Sequence, residues 1–173
     1  GYATACIGKW HHGFHEPFLP RNQGFDHYFG LLHNLDPVET VFFEDKGGVP
    51  LIRNDKIVKR PVDPAALTKA YTDEAINFIE RNKEGPFFLY LAYNAPHFPI
   101  QPPKDWLEKV QKREPNLNKK RATNVAFVEH MDYEIGKFLA AVKDAGIADD
   151  TLIVFSSDNG GSLPHGALNG ELR

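Results

Sequence analysis

Residues 151–161, TLIVFSSDNGG, constrain this chain more than any other stretch. Residues 152–155 are an unbroken apolar run, the pattern of a short strand buried on both faces of a parallel sheet. The run breaks at once into Ser156, Ser157, Asp158, Asn159, Gly160 and Gly161. In open α/β sheets, ligands collect beyond the carboxyl ends of the strands. Asp158 and Asn159 would place two hard oxygen donors there, of the kind calcium or magnesium takes. Taken alone, Asp158-Asn159-Gly160 reads more readily as a turn signal. Two other strand ends bear on that choice.

The first lies near the start of the sequence. Residues 3–8 read as a strand running into Lys9-Trp10-His11-His12-Gly13. Lys9 and His11 stand two apart on an extended segment, so both point to one side and toward one anion. A zinc site at His11, His12 and His15 is the rival reading, but the spacing lacks a helical i, i+4 pair and Gly13 argues against a helix. The second is FFLYLAY, residues 87–93, which delivers His97 on a loop stiffened by Pro96 and Pro99. Asn34, beside His33 and Asp36, faces a ligand or serves a turn.

Helices fill the intervals. Asp63-Pro64 supplies an N-cap and a first-turn proline, and Leu67, Tyr71, Ala75, Phe78 and Ile79 follow at helical spacing until Gly85-Pro86. Further helices are expected over 104–110 and 120–144. The second has a stripe of Val125, Val128, Ile135, Phe138, Leu139 and Val142, on which Asp132 would be a buried, hydrogen-bonded acid. Residues 14–30 read as irregular, and 41–43 with 51–53 and 57–58 as a peripheral strand pair. Helix, short loop, buried strand is the rhythm of an α/β fold with a mostly parallel sheet.

Bulk properties narrow the function classes. The chain has 173 residues and a net charge of −3, enough for one core and no reason for a nucleic-acid partner. The basic stretch 109–121 is broken by Pro115 and two asparagines and reads as a solvated loop. Cys6 is the single cysteine, so no internal disulfide forms. No apolar run reaches membrane-spanning length. The sequence opens on Gly1 and stops at Arg173 in mid-pattern, which reads as an internal fragment.

In a parallel sheet, Lys9, His11, His97, Asp158 and Asn159 would all gather at one edge. A metal, a fixed cation and two imidazoles around one cavity suit a tetrahedral oxyanion, and so the hydrolysis of a sulfate or phosphate ester. The residues themselves do not choose between the two. GYATACIGKWHHG, GFDHYFG, FFLYLAYNAPHFP, VEHMDYEIGKFLAAVKDAGIADDTLIVFSSDNGG and HGALNGELR resemble, in order, the type I sulfatases, the formylglycine-dependent arylsulfatase family. Residues 18–36 are most similar to the arylsulfatase A branch, and residues 42–62 resemble the family least.

That resemblance implies an alkaline phosphatase-like α/β fold. It implies calcium, less often magnesium, and a formylglycine nucleophile made from a cysteine by a formylglycine-generating enzyme. It also implies a sulfated small molecule or glycan as substrate and a periplasmic, secreted or lysosomal setting. By motif, Lys9 would bind the sulfate and the nucleophile's oxygen, and His11 the formylglycine hydrate. His97 would contact the ester and assist the leaving oxygen, Asn34 would face the substrate, and Asp158 and Asn159 would be two calcium ligands.

The family's Cys-x-Pro-x-Arg motif is not in this sequence, and Cys6, followed by Ile7-Gly8-Lys9, is not that cysteine. Ser162-Leu163-Pro164 lacks the arginine pattern of the serine variant and reads as a loop. The paired aspartates that complete the metal site and the second sulfate-binding lysine are also missing. The expectation is an internal fragment, residues 1–173, of a sulfatase catalytic domain without its N-terminal nucleophile segment and C-terminal part. Alone it would neither hydrolyse sulfate esters nor hold calcium tightly. The alternatives are a phosphate or phosphonate monoester hydrolase of the same superfamily, and a non-catalytic relative that binds anionic glycans.

Overall fold

The computed structural model describes residues 1–171, with side chains throughout except at Val38, Glu39, Val41 and Phe42. The last two residues of HGALNGELR therefore lie outside the described residues. The elements run β1 (Ala3–Lys9), β2 (His27–Leu31), α1 (Pro37–Thr40), β3 (Leu51–Arg53), β4 (Lys56–Lys59), α2 (Leu67–Asn82), β5 (Phe87–Ala92), α3 (Lys104–Arg113) and α4 (Lys119–Asp144). They form one sheet in the order β4-β3-β2-β1-β5. β2, β1 and β5 are mutually parallel, and β3 and β4 continue the sheet antiparallel beyond β2.

The parallel strands sit in close register, with Gly8 of β1 opposite Gly30 of β2 and Ala92 of β5. A Cβ on Gly30 would fall 1.8 Å from the Gly8 carbonyl oxygen, so only glycine lets β2 approach β1 there. The carboxyl ends of all three strands thereby reach one edge together.

One face of the sheet carries the main core. Ala5, Ile7, Phe29 and Leu31 meet Leu67, Tyr71, Ala75 and Phe78 of α2. The helix begins where its sequence says: the Asp63 carboxylate accepts from Ala65 N–H at 3.1 Å, and a short 3-10 turn at Pro64–Ala66 leads into α2. A smaller cluster of Cys6, Trp10 and Tyr28 lies on the other face. α4 starts at an Asn118 cap and packs on α3 through Val110, Ala122 and Ala126.

Four expectations are corrected. Residues 152–155 do not form a buried strand. They pair with no strand among the described residues, and Leu152 is 90% exposed. An apolar run becomes a strand only where a neighbouring ladder receives its backbone, and here none does. Tyr28 and Phe29 belong to a strand rather than an irregular segment, because Gly30 makes that strand possible. Residues 41–46 are a 3-10 helix, so the hairpin is made by β3 and β4 alone, and it extends the main sheet. On α4, Asp132 is exposed and the buried acid is Glu134. The inward positions run Ala122, Ala126, His130, Glu134 and Val142, a stripe whose polar members hide it from an apolar periodicity.

Candidate active site

The site is assembled at the carboxyl edge of the parallel strands. Lys9 ends β1, opposite Leu31 of β2. His97 follows β5 on a turn closed by its own N–H donating to the Asn94 carbonyl at 2.8 Å. Asn34, only 2% exposed, sits just past β2 and brings its Nδ2 within 2.9 Å of His97 Nε2. The His97 Nδ1 faces the Phe98 carbonyl. The same Asn34 Nδ2 lies 3.1 Å from His97 Nδ1, so the carboxamide sits against the edge of the ring that carries both nitrogens. Asn34, Thr68, Asn94, His97 and Phe127 line a small cleft with room for about one water.

Of the residues singled out from sequence, Asn34 and His97 are in direct contact. Lys9 shares their sheet edge through strand register. His11 is exposed and has a left-handed backbone, φ 57, so strand alternation no longer sets its direction. The same-side argument for Lys9 and His11 fails at that residue. The rival zinc trio is not gathered: His12 packs edge-on to Trp10, His15 packs on Phe14, and no group of three His, Cys, Asp or Glu suited to a metal occurs among the described residues.

Asp158 and Asn159 lie on an exposed bend. The loop after them returns toward the site. His165 stacks on Phe98 with ring centroids 4.3 Å apart, Arg121 donates to the Gly166 carbonyl at 2.9 Å, and Asn169 and Gly161 bond each other in both directions. Two side-chain oxygens fall far short of the six to eight that calcium takes, so the described residues do not by themselves make a calcium site. Cys6 is fully buried in mid-strand, and burial pushes its thiol up to about 12, which leaves it inert as a nucleophile.

Sequence reasoning missed the supports of this site. Tyr71 donates its hydroxyl to Asn94 Oδ1 at 2.9 Å across 23 residues of chain, and His165 and Arg121 tie down the distal loop. Only Asn94, inside the NAPH tetrapeptide, carried any local signal.

The sulfatase family model matches residues 1–172. The chain belongs to the sulfatase family. It is 33% identical to human N-acetylgalactosamine-6-sulfatase, over 94% of this chain and 31% of that protein. It is also 33% identical to mouse arylsulfatase J, over the whole chain and 29% of that protein. Among solved structures, Ps i-CgsB in complex with k-i-k-neocarrahexaose is similar at a TM-score of 0.83 and 37% identity, covering 99% of this chain and 40% of that one. The chain thus spans about a third of the length of the curated relatives it matches. Its mixed, helix-flanked sheet is that of the alkaline phosphatase-like superfamily to which these sulfatases belong. Among the described residues, no helix is long and apolar enough to cross a membrane.

Proposed function

We propose that this chain is part of an enzyme that hydrolyses sulfate esters, with a sulfated glycan as its substrate. The observation that carries the reading is the pairing of His97 with Asn34 at the strand edge where Lys9 ends, in a chain of this family. The glycan is supported by the relatives, one named for N-acetylgalactosamine 6-sulfate and one crystallised with a carrageenan oligosaccharide.

In this reading Lys9 supplies a fixed positive charge for the sulfate oxygens. Asn34 holds the ring of His97, which lines the cleft. In its protonated form the imidazole gives a proton to the departing sugar oxygen, which would otherwise leave as a costly alkoxide. His11 is assigned to the nucleophile's side of the sulfate on motif alone, and Asp158 and Asn159 to two positions of a calcium shell. The nucleophile would be a formylglycine from a cysteine outside this chain, installed by a formylglycine-generating enzyme.

The test is turnover by the full-length protein of matched sulfate and phosphate monoesters of one sugar. Faster sulfate release supports the proposal. Faster phosphate release, or binding of the sulfated sugar with no turnover of either ester, overturns it.

A further inference from the structure

We propose that Tyr71 and Asn94 are positioning residues for His97, acting through the turn that carries it. The inference rests on the reading of His97 as the acid for the leaving oxygen.

Tyr71, with no exposed surface, lies in the core on α2. Its hydroxyl donates to Asn94 Oδ1 at 2.9 Å. The next helix residue, Thr72, pairs its Oγ1 with the Tyr93 hydroxyl at 2.7 Å. Two consecutive residues of α2 thus grip two consecutive residues just beyond β5. Asn94 then accepts the His97 N–H on its backbone carbonyl, at 2.8 Å, and so fixes the first corner of the His97 turn. On the far side, Asn34 meets the imidazole itself.

The amide nitrogen of Asn94 separates this role from plain packing. Asn94 Nδ2 is buried and has no hydrogen-bond partner among the described residues. A buried donor left idle works against stability, and an apolar residue of the same size would fill the space without that cost. The carboxamide is explained by what its oxygen and its backbone do, which is to join the helix core to the imidazole. A catalytic group displaced by about 1 Å can lose on the order of 100-fold in rate, so a loosened anchor is felt at the imidazole.

The experiment compares Tyr71→Phe, Asn94→Ala, their double variant and His97→Gln in the full-length enzyme, on two substrates. A 4-nitrophenyl sulfate releases a phenolate that needs little protonation. A sulfated monosaccharide releases an alcohol that needs it. Tyr71→Phe and Asn94→Ala are expected to lower kcat/KM on the sugar sulfate by roughly 10-fold and on the aryl sulfate by less than about 3-fold. The double variant is expected to be no worse than the more affected single one, because the two act as one unit. Equal losses on both substrates, or no loss on the sugar sulfate, overturn the inference. His97→Gln separates the two layers. If it too loses equally on both substrates, the acid reading falls and takes this inference with it. If it alone shows the selective loss, only the positioning role falls. Tyr71→Phe keeps the ring in the core, so it decides the matter should Asn94→Ala fail to fold.

Discussion

Glu74 and Asn94 both lie where α2 meets the sheet, and their surroundings differ in kind. Glu74 sits toward the amino end of β2, buried, accepting from His27 at 2.8 Å and from Arg53 at 2.5 Å, with Arg81 at 3.9 Å. Arg53 in turn lies over the Phe29 ring. Burial by itself would raise the Glu74 carboxyl. The hydrogen bonds from His27 and Arg53, and their charges, overcome it and hold the group down at about 2. Every oxygen of that carboxylate is in use. At the carboxyl end, beside Lys9, the groups are amides and an imidazole, and the Asn94 amide nitrogen has no partner among the described residues. One end of the sheet is closed by charge and contributes stability. The other leaves polar atoms for something to bind.

That contrast can be broken by experiment. The largest expected effect is at the open end. His97→Gln in the full-length enzyme should lower kcat on a sugar sulfate by about 10²- to 10⁴-fold and leave the melting temperature within a degree or two, as calorimetry would check. At the closed end the pattern reverses. Glu74→Ala removes the acceptor of His27 and of the half-exposed Arg53 and should cost about 2–3 kcal/mol in urea unfolding, with kcat of the folded enzyme unchanged. A drop in kcat at that end would mean that the two ends are coupled.

A smaller effect tests the Glu74 charge directly. Its folded carboxyl lies below the ordinary 4.5, so its contribution is fully present above that pH and is lost as pH falls from about 4.5 toward 2. The sequence-unchanged protein should lose about 3 kcal/mol across that window, and Glu74→Gln should flatten that part of the acid limb. An identical acid limb in the variant would show that the cluster contributes little.

What could be read in advance follows from the range of the interactions. Asp63 caps α2 through a bond to a residue two positions away, and so the helix start is written in five letters. The strands at 3–9 and 87–92 declare themselves by apolar runs, and their shared edge follows from parallel pairing. The Asn34–His97 contact spans 63 residues and Tyr71–Asn94 spans 23, and no periodicity carries either. Glu134 is hidden because its stripe includes His130, and Asp132 stands at helical spacing from Val128, which is itself exposed. The strand alternation that aligns Lys9 with His11 ends at His11 itself, because that residue has a left-handed backbone. Residues 152–155 have the composition of a strand, but pairing is a property of two segments, and composition describes one.

The pairing of β1 with β5 joins Ala3 to Phe87, 84 residues later. At about 5–20 residues per second, a ribosome needs several seconds to cover that distance. Throughout that interval the first strand is made and its second neighbour does not yet exist. Cys6 lies in the middle of it, and the fold buries it completely between both neighbours and the second-face cluster. The Cys6 thiol should therefore report closure of the sheet: its alkylation in a pulse of reagent is expected to stop once β5 has paired with β1.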